Sequence, residues 1–127
     1  MGNPDPSDTR AETRSRFPWR LVFRLFFFGS VIAIIVGSLI PSSDMPDTSI
    51  DDKVIHFCAY LIAGVLAIQG FPKKRMRFVC LAALLVIGCG IEFAQQHVPG
   101  RSFDLIDMLA NTIGATVSIF ASRVFSA

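Results

Sequence analysis

Four long apolar segments divide this chain of 127 residues. They extend over Pro18–Ile40, Val54–Phe71, Met76–Gln96 and Phe103–Phe120, and each is about 18–23 residues long. Because a helix rises about 1.5 Å per residue, each segment is long enough to cross a hydrocarbon core of about 30 Å. Only short polar connections separate them, which leaves no room for a soluble domain in between. The pattern predicts an all-α integral membrane protein, a four-helix bundle.

The polar residues of these segments are concentrated at the ends of the last three. Asp52, Lys53, His56 and Tyr60 open the second segment, Glu92, Gln95 and Gln96 close the third, and Arg101, Asp104, Asp107 and Asn111 lead into the fourth. In a bundle whose spans alternate in direction, all three groups lie on the same side of the membrane. At about 5.4 Å per helical turn they share one layer, just inside the interface. Charged groups at that depth must pair, hydrate or protonate, so the layer is a candidate site.

Small residues recur at helical spacing and predict where the helices approach closely. The first span carries Gly29, Ala33 and Gly37. The polar residues continue such stripes in the other spans: His56, Tyr60, Ala63 and Ala67 in the second, Gly88 and Glu92 in the third, and Asp107, Asn111, Gly114 and Ser118 in the fourth. Each set shares one helical face. We therefore expect the polar layer to point into the bundle.

Charge distribution predicts the orientation. Of the 12 basic residues, all but Lys53 and Arg101 lie in the N-terminal flank, the Lys73–Arg77 connection or the C-terminus. The positive-inside rule places those segments in the cytoplasm, so the predicted topology is N-in/C-in with both termini cytoplasmic. Residues 1–17 form a polar tail that we expect to be cytoplasmic and disordered. The basic loops suit lipid headgroups, and with no folded domain to present them we expect no nucleic-acid partner.

Cys58, Cys80 and Cys89 lie within apolar spans and form no Cys-x-x-Cys motif. The pattern predicts packing residues, with neither a disulfide framework nor a zinc site.

The residue types in the polar layer leave several chemistries open. His56 with Glu92 or Asp107 fits an acid/base pair, which makes His56 and Glu92 the catalytic candidates. His56, Glu92, Asp104 and Asp107 also offer nitrogen and oxygen donors for a divalent metal. Arg101 and Lys53 suit the phosphate of a lipid headgroup. A hydrogen-bonded network that only fixes the bundle is the structural alternative. We predict no resident metal and no cofactor.

Three linked motifs in this layer resemble the VanZ-like family. They are Asp52-Lys53-x-x-His56-Phe57-x-x-Tyr60, Glu92-x-x-Gln95-x-x-x-Pro99-x-Arg101, and Asp107-x-x-x-Asn111-x-x-Gly114. The resemblance runs from about Asp52 to Ser118 and departs at Ser118, where a glycine often stands. It assigns residues 18–127 to a VanZ-like four-helix transmembrane domain.

The resemblance implies a protein of the bacterial cell envelope, in the cytoplasmic (inner) membrane. The family is named for a protein that contributes to resistance to the glycopeptide teicoplanin, although fold does not by itself carry that function over. Seven residues match the family's motif positions: Asp52, His56, Glu92, Gln95, Arg101, Asp107 and Asn111. With Lys53 and Tyr60 they make up the predicted ligand-binding set.

The functional hypothesis is a non-enzymatic membrane protein whose outward pocket binds a lipid-linked or cell-wall precursor headgroup. Lys53 and Arg101 would contact phosphate, while Asp107, Asn111, Glu92 and Gln95 would hold sugar or amide groups. The alternative is a membrane-embedded enzyme that modifies an envelope lipid. Membrane lipids are the expected partners, and a homo-oligomer is left open.

Overall fold

The computed structural model of the protein describes residues 2, 17–45 and 49–125. Its helices are α1 (Trp19–Ser38), α2 (Asp52–Gly70), α3 (Lys74–Gln95) and α4 (Leu105–Phe125), with a 3-10 turn at Ser42–Asp44. No strand occurs in the described ranges. The predicted disordered tail lies almost wholly outside them.

All four helices are long and apolar enough to cross a membrane, which confirms the predicted fold class. Three of them begin and end within two residues of the predicted segments. The fourth continues five residues further, to Phe125. Large apolar side chains such as Phe78, Val86 and Leu109 are exposed on the outside of the bundle, as lipid-facing positions of a multi-pass membrane protein would be.

Aspartates begin the two helices that carry most of the polar layer. The Asp51 side chain accepts a hydrogen bond from the backbone N–H of Lys53 at 2.9 Å, and Asp104 accepts one from Ile106 at 2.8 Å. Such caps satisfy backbone donors that the first turn of a helix leaves free, and the carboxylate suits the helix N-terminus electrostatically. The caps fix where α2 and α4 start, and so how deep their first polar residues lie.

Helices α2 and α4 run parallel and form the closest pair in the bundle. A Cβ added to Gly114 would collide with the backbone carbonyl oxygen of Phe57, and one added to Gly64 would lie 2.6 Å from the Ser118 Cβ. Such contacts between glycine and the facing helix let two backbones approach more closely than larger residues allow. Asn111 and Ser118, on the same stripe of α4, are buried. The predicted stripes of α2 and α4 are therefore confirmed.

The opposite end of the bundle is held by arginines. Arg24 donates from Nε to the carbonyl of Gly70 at 2.9 Å, and Arg77 donates to the carbonyl of Phe71 at 2.7 Å. Both bonds satisfy carbonyls at the C-terminus of α2 that have no partner within the helix. Beside them Phe27 and Ala67 pack around Cys80, so this cysteine has the packing role predicted for it. Cys58 and Cys89 are exposed, and all three thiols are free.

The small residues of α1 make no close contact with another helix. A Cβ added to Gly29 or Gly37 would meet nothing within 4 Å, and Ala33 is exposed. The prediction that the small residues of the first span form a close helix contact is therefore wrong. Instead, Ala33 and Gly37 form one wall of an open groove between α1 and α2. Small residues permit contact, but here no neighbouring helix reaches them.

Candidate functional site

The groove between α1 and α2 has a volume of about 320 Å³. It extends along α1 from Ser30 to Ser38, about 12 Å at the rise of a helix. Its walls are mainly small or apolar, and its charged residues, Asp52 and Arg101, lie at the end near the start of α2 together with His56. The lining residues are Ser30, Ala33, Ile34, Gly37, Ser38, Met45, Asp52, Ile55, His56, Ala59, Tyr60, Ile62 and Arg101.

Arg101 closes the polar end of the groove. Its Nε donates to the carbonyl of Ile40 at 3.2 Å, and one terminal nitrogen lies 3.9 Å from a carboxylate oxygen of Asp52. The Arg101 side chain is 12% exposed and that of Asp52 is 60% exposed. The guanidinium is thus fixed by a backbone carbonyl while its partner acid remains in contact with solvent. An anionic group entering the groove would compete with Asp52 for the same nitrogen.

A second group of polar residues lies between α2, α3 and α4, next to the groove. One ligand atom each from His56, Glu92 and Asp107 lie within 4.8 Å of one another. His56 also lines the groove, so it belongs to both places. The sequence predicted this convergence, and the helical stripes that continue from the small residues account for it.

Hydrogen bonds orient two members of this acid cluster, which we define as His56, Glu92 and Asp107. His56 Nδ1 lies 3.0 Å from Asn111 Oδ1. Because the amide oxygen only accepts, Nδ1 carries the hydrogen, and in the neutral imidazole Nε2 then keeps a free lone pair. Glu92 Oε2 accepts a hydrogen bond from the backbone N–H of Asp104 at 3.1 Å. That bond links the end of α3 to the start of α4.

Three buried polar atoms near the cluster have no hydrogen-bond partner among the described residues. They are the hydroxyl of Tyr60, Oε1 of Glu92 and Oδ1 of Asp107. Tyr60 is 1% exposed and Glu92 is fully buried. A buried polar atom without a partner loses its hydration without compensation, which costs about 1–3 kcal/mol. Such atoms in a native protein call for an explanation, and a bound ligand is one.

Lys53 lies beside the acid cluster and does not line the groove. Its ammonium lies 3.5 Å from an Asp104 carboxylate oxygen and 3.9 Å from Asp107 Oδ1. The hypothesis placed Lys53 beside Arg101 at one phosphate, but the structure separates the two cations. Each has its own acidic partner on a different side of α2.

Gln95 has a structural contact. Its side chain is 2% exposed, and Nε2 donates to the carbonyl of Ser38 at 2.9 Å. This bond satisfies a carbonyl at the C-terminus of α1. Nearby, the backbone N–H of Ser42 donates to the carbonyl of Pro99 at 3.3 Å. These bonds tie the end of α1 to the end of α3 and to the connection between α3 and α4.

Sequence reasoning left two contributors out of the predicted ligand-binding set. Asp104 caps α4, pairs with Lys53 and donates its backbone N–H to Glu92. The hydrogen bond from Ile106 is the main reason that the pKa of the Asp104 carboxyl lies below its usual value, and Lys53 lowers it further against the effect of partial burial. The second contributor is the α1 wall, including Ser30 and Ser38. Only the sequence position of Asp104 before an apolar run could have signalled its capping role.

Comparisons with known proteins identify a family for this chain. No solved structure matches it. An uncharacterised protein of Schizosaccharomyces pombe is 26% identical over 98 residues, which cover 75% of this chain and 60% of that relative. The chain therefore spans less than two thirds of the relative's length. The VanZ/LLP1 family matches residues 5–126, nearly the whole sequence. With the three polar motifs and four apolar helices in place, the chain belongs to the VanZ/LLP1 family.

Proposed function

We propose that this protein binds a membrane lipid with an anionic headgroup in the groove between α1 and α2, without transforming it. The observation that carries the proposal is the form of the groove, an apolar channel along two membrane helices that ends at Arg101. An acyl chain fits the channel, and a phosphate fits the guanidinium, which makes strong charge-assisted hydrogen bonds to phosphate oxygens. His56 lies at the same end and provides a further polar contact.

The proposal keeps the lipid-headgroup hypothesis from the sequence, but it gives the phosphate contact to Arg101 alone and not to Lys53. The relative in a fungus, an organism without a peptidoglycan wall, favours a membrane lipid over a wall precursor as a shared ligand. In the predicted N-in/C-in orientation the Arg101 end of the groove lies on the outer side of the membrane. Cysteine-accessibility labelling at Ser43 and at Lys74 tests that orientation, because the two positions would be reached from opposite sides.

Lipid titration followed by native mass spectrometry tests the proposal. Phosphatidylglycerol is the probe and phosphatidylcholine the comparison. Gly37→Leu fills the groove and should weaken phosphatidylglycerol binding about tenfold. Gly29 has equally open surroundings but does not line the groove, so Gly29→Leu should bind the lipid as the wild type does. Arg101→Gln should remove the preference for the anionic lipid, and Arg20→Gln should keep it. Equal binding by all four variants would contradict the proposal. The same spectra report the oligomeric state.

Under this proposal, glycopeptide resistance would arise indirectly, because binding by this protein changes which lipids are exposed at the cell surface. Expression in a teicoplanin-sensitive bacterium tests it. A rise in the inhibitory concentration that Gly37→Leu abolishes and Gly29→Leu keeps would link resistance to the groove. If the inhibitory concentration does not rise, this chain does not confer the resistance for which the family is named.

A membrane-embedded enzyme is the second candidate, and one observation favours it. Asn111 orients the ring of His56, and Glu92, whose Oε1 has no hydrogen-bond partner among the described residues, lies in the same cluster, as a general base or acid requires. Turnover of a lipid by the purified protein, abolished by His56→Ala or Glu92→Ala, would establish it. Lipid binding without turnover would exclude it.

A further inference from the structure

The acid cluster brings one donor atom from each of three helices to one point. His56 comes from α2, Glu92 from α3 and Asp107 from α4, and their donor atoms lie within 4.8 Å of one another. Two ligands on opposite sides of a cation, each about 2.1 Å away, are about 4.2 Å apart. Small side-chain movements would therefore bring all three donors onto one ion.

The donor atoms are not used up by the protein itself. Glu92 is fully buried, yet its Oε1 has no hydrogen-bond partner among the described residues. Oδ1 of Asp107 is also without one, and its nearest cation is the Lys53 ammonium at 3.9 Å. A network that only joins helices would be expected to satisfy its buried oxygens. Here one oxygen each of Glu92 and Asp107 is buried without such a partner.

The charges around the cluster are unbalanced. Glu92, Asp104 and Asp107 supply three carboxylates, and Lys53 is the one basic side chain within ion-pair distance of them in the described ranges. If all are ionised, the group carries a net charge of about −2 inside a membrane bundle, which is costly. One divalent cation would neutralise that charge.

The surrounding hydrogen bonds are those that metal ligands ordinarily make. Histidine ligands donate their second ring N–H to an oxygen, as His56 does to Asn111 Oδ1. Ligating carboxylates are themselves hydrogen-bonded, as Glu92 Oε2 is to the backbone N–H of Asp104. Both bonds orient a donor while leaving another atom of the same side chain free to bind.

We infer that His56, Glu92 and Asp107 bind one divalent transition-metal cation in the interior of the bundle. A donor set of one imidazole and two carboxylates suits Mn²⁺, Fe²⁺ or Zn²⁺, and it lacks the sulfur that Cu⁺ prefers. Three protein ligands leave coordination positions open. This inference does not depend on lipid binding in the groove, although His56 contributes to both.

Manganese titration of the purified full chain in nanodiscs tests the inference. After chelator treatment, free Mn²⁺ is followed by its electron paramagnetic resonance signal, and Zn²⁺ is added as a competitor. The wild type should bind one Mn²⁺ per chain saturably, and Zn²⁺ should displace it. Glu92→Gln and Asp107→Asn should each weaken binding at least about tenfold. Asp44→Asn, an exposed acid outside the cluster, should bind as the wild type does.

Helix content and thermal unfolding of each variant, measured in chelator, show whether it is folded. If Glu92→Gln does not fold, Asp107→Asn provides the test. The Asp107 side chain is 15% exposed, so its substitution should disturb folding less. The inference is overturned if the wild type has no saturable site for Mn²⁺ or Zn²⁺, or if the folded cluster variants bind like Asp44→Asn. Measuring phosphatidylglycerol binding on the same chelator-treated protein keeps the two proposals apart. Lipid binding without metal binding would refute only the metal site.

Discussion

The α2–α4 interface and the α1–α2 groove begin from the same kind of sequence and end differently. Both are marked by small residues at helical spacing. Between α2 and α4, Gly64 and Gly114 contact the opposite helix directly, whereas Gly29 and Gly37 of α1 meet nothing. A small residue removes a steric barrier but supplies little attraction of its own. The polar and backbone contacts around it decide whether the gap closes, and between α1 and α2 it stays open as a groove.

Gly114→Leu should break the closed interface, with the largest effect that we expect. The new side chain collides with the backbone carbonyl of Phe57, which cannot rotate away. Overpacking of this kind costs about 1–3 kcal/mol and sometimes more. Thermal unfolding in detergent, followed by circular dichroism, measures it. Gly29→Leu is the matched control and should be nearly neutral, because its neighbourhood is open. Equal loss in both variants would show that α1 is packed in the membrane.

Glu92→Gln should stabilise the protein in chelator. The substitution removes a fully buried charge, and the remaining carbonyl oxygen still accepts the hydrogen bond from the Asp104 backbone. We expect a gain of about 1–3 kcal/mol in the free energy of unfolding, the scale of the cost of an ionised acid in a membrane helix. With saturating Mn²⁺ this advantage should shrink, because the wild type gains more binding energy than the variant does. A loss of stability in chelator would mean that the Glu92 charge is already compensated.

Tyr60→Phe separates a structural hydroxyl from a ligand-binding one. The hydroxyl is buried and has no partner among the described residues, so its removal should leave stability within about 0.5 kcal/mol or raise it. If the groove holds a headgroup near this position, phosphatidylglycerol binding should weaken while unfolding does not change. A stability loss above about 1 kcal/mol would show that the hydroxyl is hydrogen-bonded in the membrane.

Lowering the pH should weaken the connection between α3 and α4, and we expect this to be the smallest of the four effects. The pKa of Asp104 is lowered in the folded state, first by the Ile106 N–H and then by Lys53, so its carboxylate favours folding at pH values above about 4, the unfolded pKa. That contribution is lost as the pH falls through the folded pKa. Melting curves between pH 3 and pH 6 should show a decline for the wild type. The decline should be smaller for Asp104→Asn, which keeps an oxygen for the cap.

The parts of the candidate site that follow from the periodicity of a single helix could be predicted from the sequence. Helical spacing placed Tyr60, Asn111 and Ser118 on buried stripes, and the shared end of the spans placed Glu92 and Asp107 at one depth. Pairing was not predictable. Lys53 and Arg101 are equally available in the sequence, and only the packing of the folded chain places Lys53 beside Asp104 and Asp107 and Arg101 at the end of the groove.

The sequence by itself determined four membrane helices, the polar layer near one end and the inward faces of α2, α3 and α4. These follow from hydrophobic length and from helical periodicity, which are local properties of the chain. Tertiary structure alone decided that the small residues of α1 line an open groove and that His56 faces both the groove and the acid cluster. Those outcomes depend on the distances between helices, and the spacing of residues along one helix gives no information about them.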